Sequence, residues 1–296
     1  MTLTIIATRI ADRPDLLGES PVWDERIGRL YWVDGARRLI RYLDYAEDRL
    51  SEVEMPSMVG CVGLTEDVGR LITGLRDGIY LVDLATGALE PLYRPEPKDD
   101  RVRFNDGKVD RQGRFVCGTM GVHADPVAEL VRITGKQKVE RLASGIRISN
   151  SICFSPDGET FYFSDSLDRQ IRAYHYSPES DPLTEPRAHI DTSKHGSGPD
   201  GATVDAEGFI WVALVHVGKI GRFSPDGKLD RLVEAPVDMP SCITFGGPDM
   251  DTLYMTSIKD SGSGRAISRH PYGGHIFALE GLGIKGLPEP RFKFGG

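Results

Sequence analysis

The chain has 296 residues, 40% hydrophobic and 27% charged, the mixture of a soluble protein with enough apolar side chains for a sizeable core. Acidic residues outnumber basic ones 44 to 36, a formal net charge of −8 with no cluster of Lys and Arg to interrupt it. Nucleic acid and membrane partners are thereby excluded: nothing offsets phosphate repulsion, and the apolar runs are too short and too broken by charge to span a bilayer.

In chain order, the opening from Met1 to Arg9 has neither the basic n-region nor the long apolar core of a secretory signal. Cys61, Cys117, Cys153 and Cys242 lie far apart with no CxxC pair, which argues against a zinc knuckle or redox motif. Both observations predict a reduced, cytoplasmic setting. Leu3 to Ile10 predicts a strand that has no copy elsewhere and closes a ring by pairing into the last repeat. A phrase then recurs, a polar turn followed by an aromatic or β-branched run: Arg29-Leu30-Tyr31-Trp32-Val33, Arg70-Leu71-Ile72-Thr73 and Arg114-Phe115-Val116-Cys117. It returns as Thr160-Phe161-Tyr162-Phe163, Phe209-Ile210-Trp211-Val212 and Thr252-Leu253-Tyr254-Met255. With Leu30, Leu71, Phe115, Phe161, Ile210 and Leu253 equivalent, the steps are 41, 44, 46, 49 and 43 residues. A short strand precedes each run (Pro21-Val22-Trp23, Ala202-Thr203-Val204) and a third follows (Gly78 to Val82, Gln170 to Tyr174). Hairpin turns such as Ala85-Thr86-Gly87 and Ser224-Pro225-Asp226-Gly227 lead to a fourth. The prediction is an all-β, six-bladed propeller, one domain over residues 1–296, in place of the two domains that length suggests.

In a propeller the first strand of every blade lines the central channel, so equivalent positions face one another. Glu19 stands 11 residues before Leu30, Asn105 10 before Phe115, Asn150 11 before Phe161, and Asp200 10 before Ile210. The other two repeats place Gly60-Cys61 and Ser241-Cys242 there, all small. Two carboxylates and two amides on one axis make an oxygen site for a divalent cation, with room left for water or substrate. The bland alternative is that these groups hydrogen-bond to one another and plug the channel.

Pro156-Asp157-Gly158 and Pro225-Asp226-Gly227 follow serine between strands, where a β-turn needs those residues. Pro199-Asp200-Gly201 has the same letters at the head of an inner strand, where no turn is needed, so Asp200 is the functional one. Arg103, two residues before Asn105, is placed to hold a substrate oxygen with its planar donors. Asp106 points away from its neighbour and braces the strand or Arg103. His123, His195 and His216 fall near loop ends without metal spacing and stand as weak pocket candidates. No G-x-S-x-G elbow or P-loop occurs, and no histidine in register would make a thiolate of Cys61 or Cys242, which read as small buried residues.

Several segments together resemble the SMP-30/gluconolactonase/regucalcin-like family of sugar lactonases: Leu17 to Trp23, Arg103-Phe104-Asn105-Asp106-Gly107, Gly118-Thr119-Met120, Ile148-Ser149-Asn150, Phe154 to Gly158, Pro199-Asp200-Gly201 with Trp211-Val212-Ala213, Gly273 to Phe277 and Gly281 to Gly286. The resemblance covers nearly the whole chain. It implies a six-bladed propeller with one catalytic divalent ion, held by Glu19, Asn150 and Asp200, with Asp200 also the general base and Arg103 and Asn105 on the substrate. It departs at Asn150-Ser151 and Glu19-Ser20, where members often carry glycine after the ligand. After Gly118-Thr119-Met120 some members carry a glutamate that contacts the sugar; here Gly121-Val122-His123 follows.

The expected activity is hydrolysis of a glucono-, galactono-, xylono- or arabinono-type lactone to its aldonic acid. Ca²⁺, Mg²⁺, Mn²⁺, Zn²⁺ and Fe²⁺ all suit the oxygen ligands. Other readings of the same residues are a calcium-binding regulatory protein, a metal-dependent aryl-ester or organophosphate hydrolase, and a scaffold ring for a protein partner.

Overall fold

The computed structural model describes residues 4–177, 183 and 185–294. Among them the six repeats form six antiparallel sheets of four strands each, arranged as a β-propeller, one sheet gaining a fifth strand. Blade 1 runs Gly18–Asp24, Arg29–Asp34, Leu39–Asp44 and Arg49–Glu54. The inner strands of blades 2 to 6 are Val59–Thr65, Val102–Val109, Ser149–Phe154, Pro199–Val204 and Pro240–Gly246. Each inner strand contacts the next around the circle, and the sixth contacts the first. The ring closes through Ile6–Arg9, which pairs antiparallel with Phe277–Glu280 as the outer strand of blade 6. This is the expected opening strand, although Leu3 lies outside the described residues. No helix of the described residues is long and apolar enough to cross a membrane.

Sheets stacked around an axis bury both faces of their central strands, so those strands read as continuous apolar runs rather than alternating ones. Val59–Thr65 and Pro240–Gly246 are buried at every position, whereas the outer Arg49–Glu54 and Leu229–Glu234 are mostly exposed. The anchor residues of the repeat fill the seams between blades; Trp211 meets Phe245 of the next blade edge-on at 5.7 Å between ring centroids. Polar residues at the far ends of the inner strands fasten the following turns. Asp110 Oδ1 accepts the N–H groups of Gln112 (3.0 Å) and Arg114 (2.8 Å), and Asp205 Oδ1 those of Glu207 (2.9 Å) and Phe209 (3.0 Å).

Near its head every inner strand carries one residue more than its partner. The ladder jumps between Glu19 and Val22, Val59 and Cys61, Phe104 and Gly107, Asn150 and Cys153, Pro199 and Ala202, and Pro240 and Ile243. These are β-bulges, which bend a strand and re-aim a side chain. Six in register leave six unpaired positions around one end of the channel.

The other end is closed by the chain beyond Glu280. It crosses blades 6 and 5, where Gly286 donates to Met250 O (2.7 Å) and Lys285 O accepts from Ala206 (2.8 Å). Glu289 then enters the axis, accepting from Lys108 Nζ (2.9 Å) and Thr244 Oγ1 (3.2 Å). Arg291–Phe292 finally adds a parallel strand to Val59–Thr65 of blade 2. The void left beside Lys108 and Glu289 is about 10 Å³, room for one water at most.

Candidate functional site

At the bulged end a cavity of about 250 Å³ has Glu19, Arg103, Asn105, Asn150 and Asp200 in its lining, from four blades. The four candidates read from the repeat register are thus brought together, with Arg103 beside them. Apolar walls come from Leu17, Met120, Ile148, Val215 and Ile258, and the rim from Arg169, His216, Ser261 and Arg265.

Local geometry explains why these residues reach the axis. A Cβ on Gly201 would stand 2.1 Å from Cys242 Sγ, so Asp200 is followed by glycine because the neighbouring strand approaches too closely for a side chain, not because a turn is made. Gly60 is equally constrained: its Cβ would lie 2.5 Å from Asn105 O. The two serines that follow ligand positions adopt positive φ, 50° at Ser20 and 57° at Ser151. Their hydroxyls fasten adjacent blades. Ser20 Oγ accepts from Val62 N at 3.0 Å, and Ser151 Oγ donates to Asp200 O at 2.6 Å.

A hydrogen-bonded arc orients the amides. Arg103 Nη1 donates to Asn105 Oδ1 (2.8 Å), and Asn105 Nδ2 donates to Ser149 O (2.9 Å) and Asn150 Oδ1 (3.2 Å). Asn150 Nδ2 donates to Ser166 Oγ (2.8 Å), whose own proton goes to Pro199 O (2.8 Å). Since the Ser166 proton is committed to a carbonyl, its oxygen must accept, so Asn150 presents its NH₂ outward and keeps Oδ1 toward Asn105. Ser166 was not among the candidates. Its only sequence signal is its place just after a second strand.

Charge is crowded on the cavity floor. Burial, then the nearby Asp200 and Asp106, pushes the Glu19 carboxyl well above its usual range, with Arg103 acting in the opposite direction. Asp200 is pushed up to about 8, first by burial and then by Asp106. Asp106 is pushed up to about 6 by burial and accepts from Ile152 N at 2.8 Å; it braces blade 4, not Arg103. Burial brings Arg103 down to about 10 despite Glu19. The turn aspartates differ: hydrogen bonds from Ser155 to Asp157, and from Lys228 and Ser224 to Asp226, hold both carboxyls below the usual range.

The donor set fits a divalent cation. Two carboxylates that burial and mutual repulsion keep from ionising, beside an amide oxygen locked in orientation, are completed by two positive charges. Among the described residues no three His, Cys, Asp or Glu side chains gather as a metal cluster; beside the two carboxylates stands the Asn150 amide oxygen. A thiolate nucleophile is disfavoured: burial lifts Cys242 well above its usual range and Cys153 to about 12.

Of the three histidines, His216 lines the rim; burial and then Arg169 lower its pKa. His195 ends a 3-10 turn with its ring 5.6 Å from that of Phe223, outside the lining. His123 contributes its carbonyl, which accepts from Arg265 at 2.7 Å. After Met120 the chain turns back, Ala124 N donating to Gly121 O (2.8 Å), and no carboxylate enters the lining from that segment.

Residues 17–259 match the family model described as SMP-30/Gluconolactonase/LRE-like region. The chain is similar to 6-deoxy-6-sulfogluconolactonase of Pseudomonas putida, 34% identical over 96% of this chain and 97% of that one. It is similar also to L-arabinolactonase of Azospirillum brasilense, 34% identical over 93% of this chain and 91% of the relative. Among solved structures it resembles a calcium-binding protein, regucalcin, from Agrobacterium tumefaciens, at 30% identity and a TM-score of 0.86 with 96% of both chains covered.

Proposed function

The chain belongs to the SMP-30/gluconolactonase/LRE-like family, and from that premise we propose that it is an enzyme opening a sugar lactone to its aldonic acid with one divalent cation. The convergence of Glu19, Asn150 and Asp200 with Arg103 and Asn105 in one cavity carries this reading. The lactonase names of two relatives support the reaction class.

Glu19, Asn150 and Asp200 would hold the cation, which when bound supplies Lewis-acid polarisation of an acyl oxygen. Asp200 accepts a proton from the attacking water as its oxygen bonds to the lactone carbonyl carbon. The ring C–O bond then breaks, and the departing ring oxygen takes that proton back as a hydroxyl. Arg103 and Asn105 contribute orientation by holding sugar oxygens, and the arc through Ser166 keeps Asn150 from rotating. Oxygen donors admit Ca²⁺, Mg²⁺, Mn²⁺, Zn²⁺ and Fe²⁺. We read residues 1–296 as one domain and the cytoplasm as the protein's compartment.

The test is acid release in a pH-stat from a panel of aldonolactones, before and after chelation and with each metal restored. Turnover should vanish on chelation and return with metal. Undiminished turnover in metal-free protein would overturn the mechanism, and a large preference for phenyl acetate would favour an aryl esterase.

A further inference from the structure

We infer that the rim of this cavity binds an anionic substituent of the substrate — a sulfonate, phosphate or carboxylate remote from the lactone carbonyl — through Arg169 and Arg265. The inference rests on the lactonase reading and narrows its substrate class.

The chain is acidic overall, yet three arginines line the cavity against two carboxylates. Glu19 and Asp200 lie on the floor, where Arg103 is already engaged with Asn105 and the Phe104 carbonyl. Arg169 and Arg265 are different. They come from blades 4 and 6, and neither has a carboxylate partner among the described residues. Arg265 donates to the His123 carbonyl at 2.7 Å, while the Arg169 side chain makes no hydrogen bond or ion pair there. Two arginines near Arg169 are neutralised by contrast: Arg147 pairs with Asp165 and Asp168, and Arg172 with Asp168.

The backbone fixes where the Arg169 side chain starts. It sits at φ 56°, a left-handed conformation that glycine or asparagine adopts more readily. It is fixed there by its own N–H on Ser166 O (3.2 Å) and by Thr192, whose N–H (3.0 Å) and Oγ1 (2.9 Å) both donate to its carbonyl. The same left-handed turn recurs in blade 1 at Arg38, φ 63°, whose guanidinium pairs with Glu54; what distinguishes Arg169 is a guanidinium unpaired over the cavity among the described residues. Ser261 and Ser263, on the same rim, share a hydrogen bond at 2.7 Å and leave further hydroxyl capacity for an oxyanion. A guanidinium fork matches two oxygens of a sulfonate, phosphate or carboxylate, which a neutral sugar does not offer.

The experiment compares kcat/KM for gluconolactone with 6-phospho- and 6-deoxy-6-sulfogluconolactone and a glucaric acid lactone. The three charged substrates distinguish which anion is used. At least one should exceed the neutral lactone by about tenfold, the scale of one or two hydrogen bonds to a charged group. That ratio should collapse toward unity in the Arg169→Gln/Arg265→Gln double variant and persist in Arg38→Gln, an exposed arginine of blade 1. Equal use of charged and neutral lactones, or a preference that survives the double variant, overturns the inference. Calorimetric titration of the corresponding ring-opened acids separates it from the reaction itself. If no lactone is opened but the doubly acidic products bind about tenfold tighter than gluconate through these arginines, the activity fails and the anion site stands. If lactones are opened without charge preference, the activity stands and the anion site fails. Neither turnover nor selective binding would sink both.

Discussion

Both ends of the propeller channel hold charged side chains taken from water, and they treat them in opposite ways. At the closed end Lys108 and Glu289 meet at 2.9 Å, one cation against one anion, with Thr244 on the same carboxylate oxygen. Burial works against the Lys108 charge, yet Glu289 more than offsets it and holds the ammonium above its usual range. At the open end Glu19 and Asp200 have Arg103 as their only nearby cation among the described residues and are pushed toward their neutral forms. Burial alone therefore does not mark a site. The distinction is whether the buried charges are already balanced, as in a plug, or await a partner that the chain does not supply.

The largest expected effect strikes the open end. On the proposed mechanism Asp200→Asn would keep one oxygen ligand but remove a charge and the proton acceptor, and turnover at saturating metal should fall by roughly 10²–10⁴. Asp157→Asn and Asp226→Asn, in the same Pro-Asp-Gly context, should stay within about twofold, since surface positions away from the site carry little. Similar losses in all three would erase the contrast. At the closed end, Lys108→Met leaves Glu289 buried and unpaired and should cost about 3 kcal/mol of stability in urea unfolding. Removing both partners, as Lys108→Met with Glu289→Leu, should recover much of it. No recovery in the double variant would mean the pair is not a balanced unit.

A smaller effect lies in pH. In metal-free protein Asp200 stands at about 8 against 3.8 ordinarily, so the folded state keeps a proton that the unfolded chain has lost. Its contribution is present in full below the ordinary value and disappears as pH rises through about 8, by at most ~1.4 kcal/mol per pH unit. Metal-free Asp200→Asn should accordingly lose less stability than the parent chain between pH 5 and 8; parallel curves would refute the assignment. The smallest contrast concerns Ser151 at φ 57°. Alanine removes the hydroxyl and keeps the strain, while glycine removes both, so the glycine variant should be the more stable by about 1 kcal/mol in chemical denaturation.

The ring itself was legible because six copies of one apolar phrase repeat a buried strand that must be apolar on both faces. The heads of the inner strands were legible by counting back from those anchors, which is why Glu19, Asn105, Asn150 and Asp200 emerged together. Counting could not show the six bulges, since a bulge is an unpaired residue and leaves no periodicity behind. Nor could it find Ser166, Arg169 or Arg265, which reach the cavity from loops whose paths depend on how blades 4 and 6 pack. Glu289 was invisible for the same reason: it pairs with Lys108 across most of the chain. Asp106 was legible as a brace, but its partner, the Ile152 N–H, belongs to the next blade rather than to Arg103.

The strands that complete the circle come from far apart in the chain. Ile6–Arg9 finishes a blade whose other strands span Pro240 to Glu280, and Arg291–Phe292 returns to one begun at Val59. During synthesis, blades 1 to 5 can therefore emerge and pack while Ile6–Arg9 has nothing to pair with and the inner strand of blade 1 lacks one neighbour. Only after Glu280 has left the ribosome can that edge be covered, and only after Phe292 can the channel floor be sealed. A ribosome stalled before Glu280 would carry a nearly complete ring with an unpaired β edge, the geometry most prone to join a second chain. Protection of the nascent chain is needed most while the segment from Glu280 to Phe292 is being made.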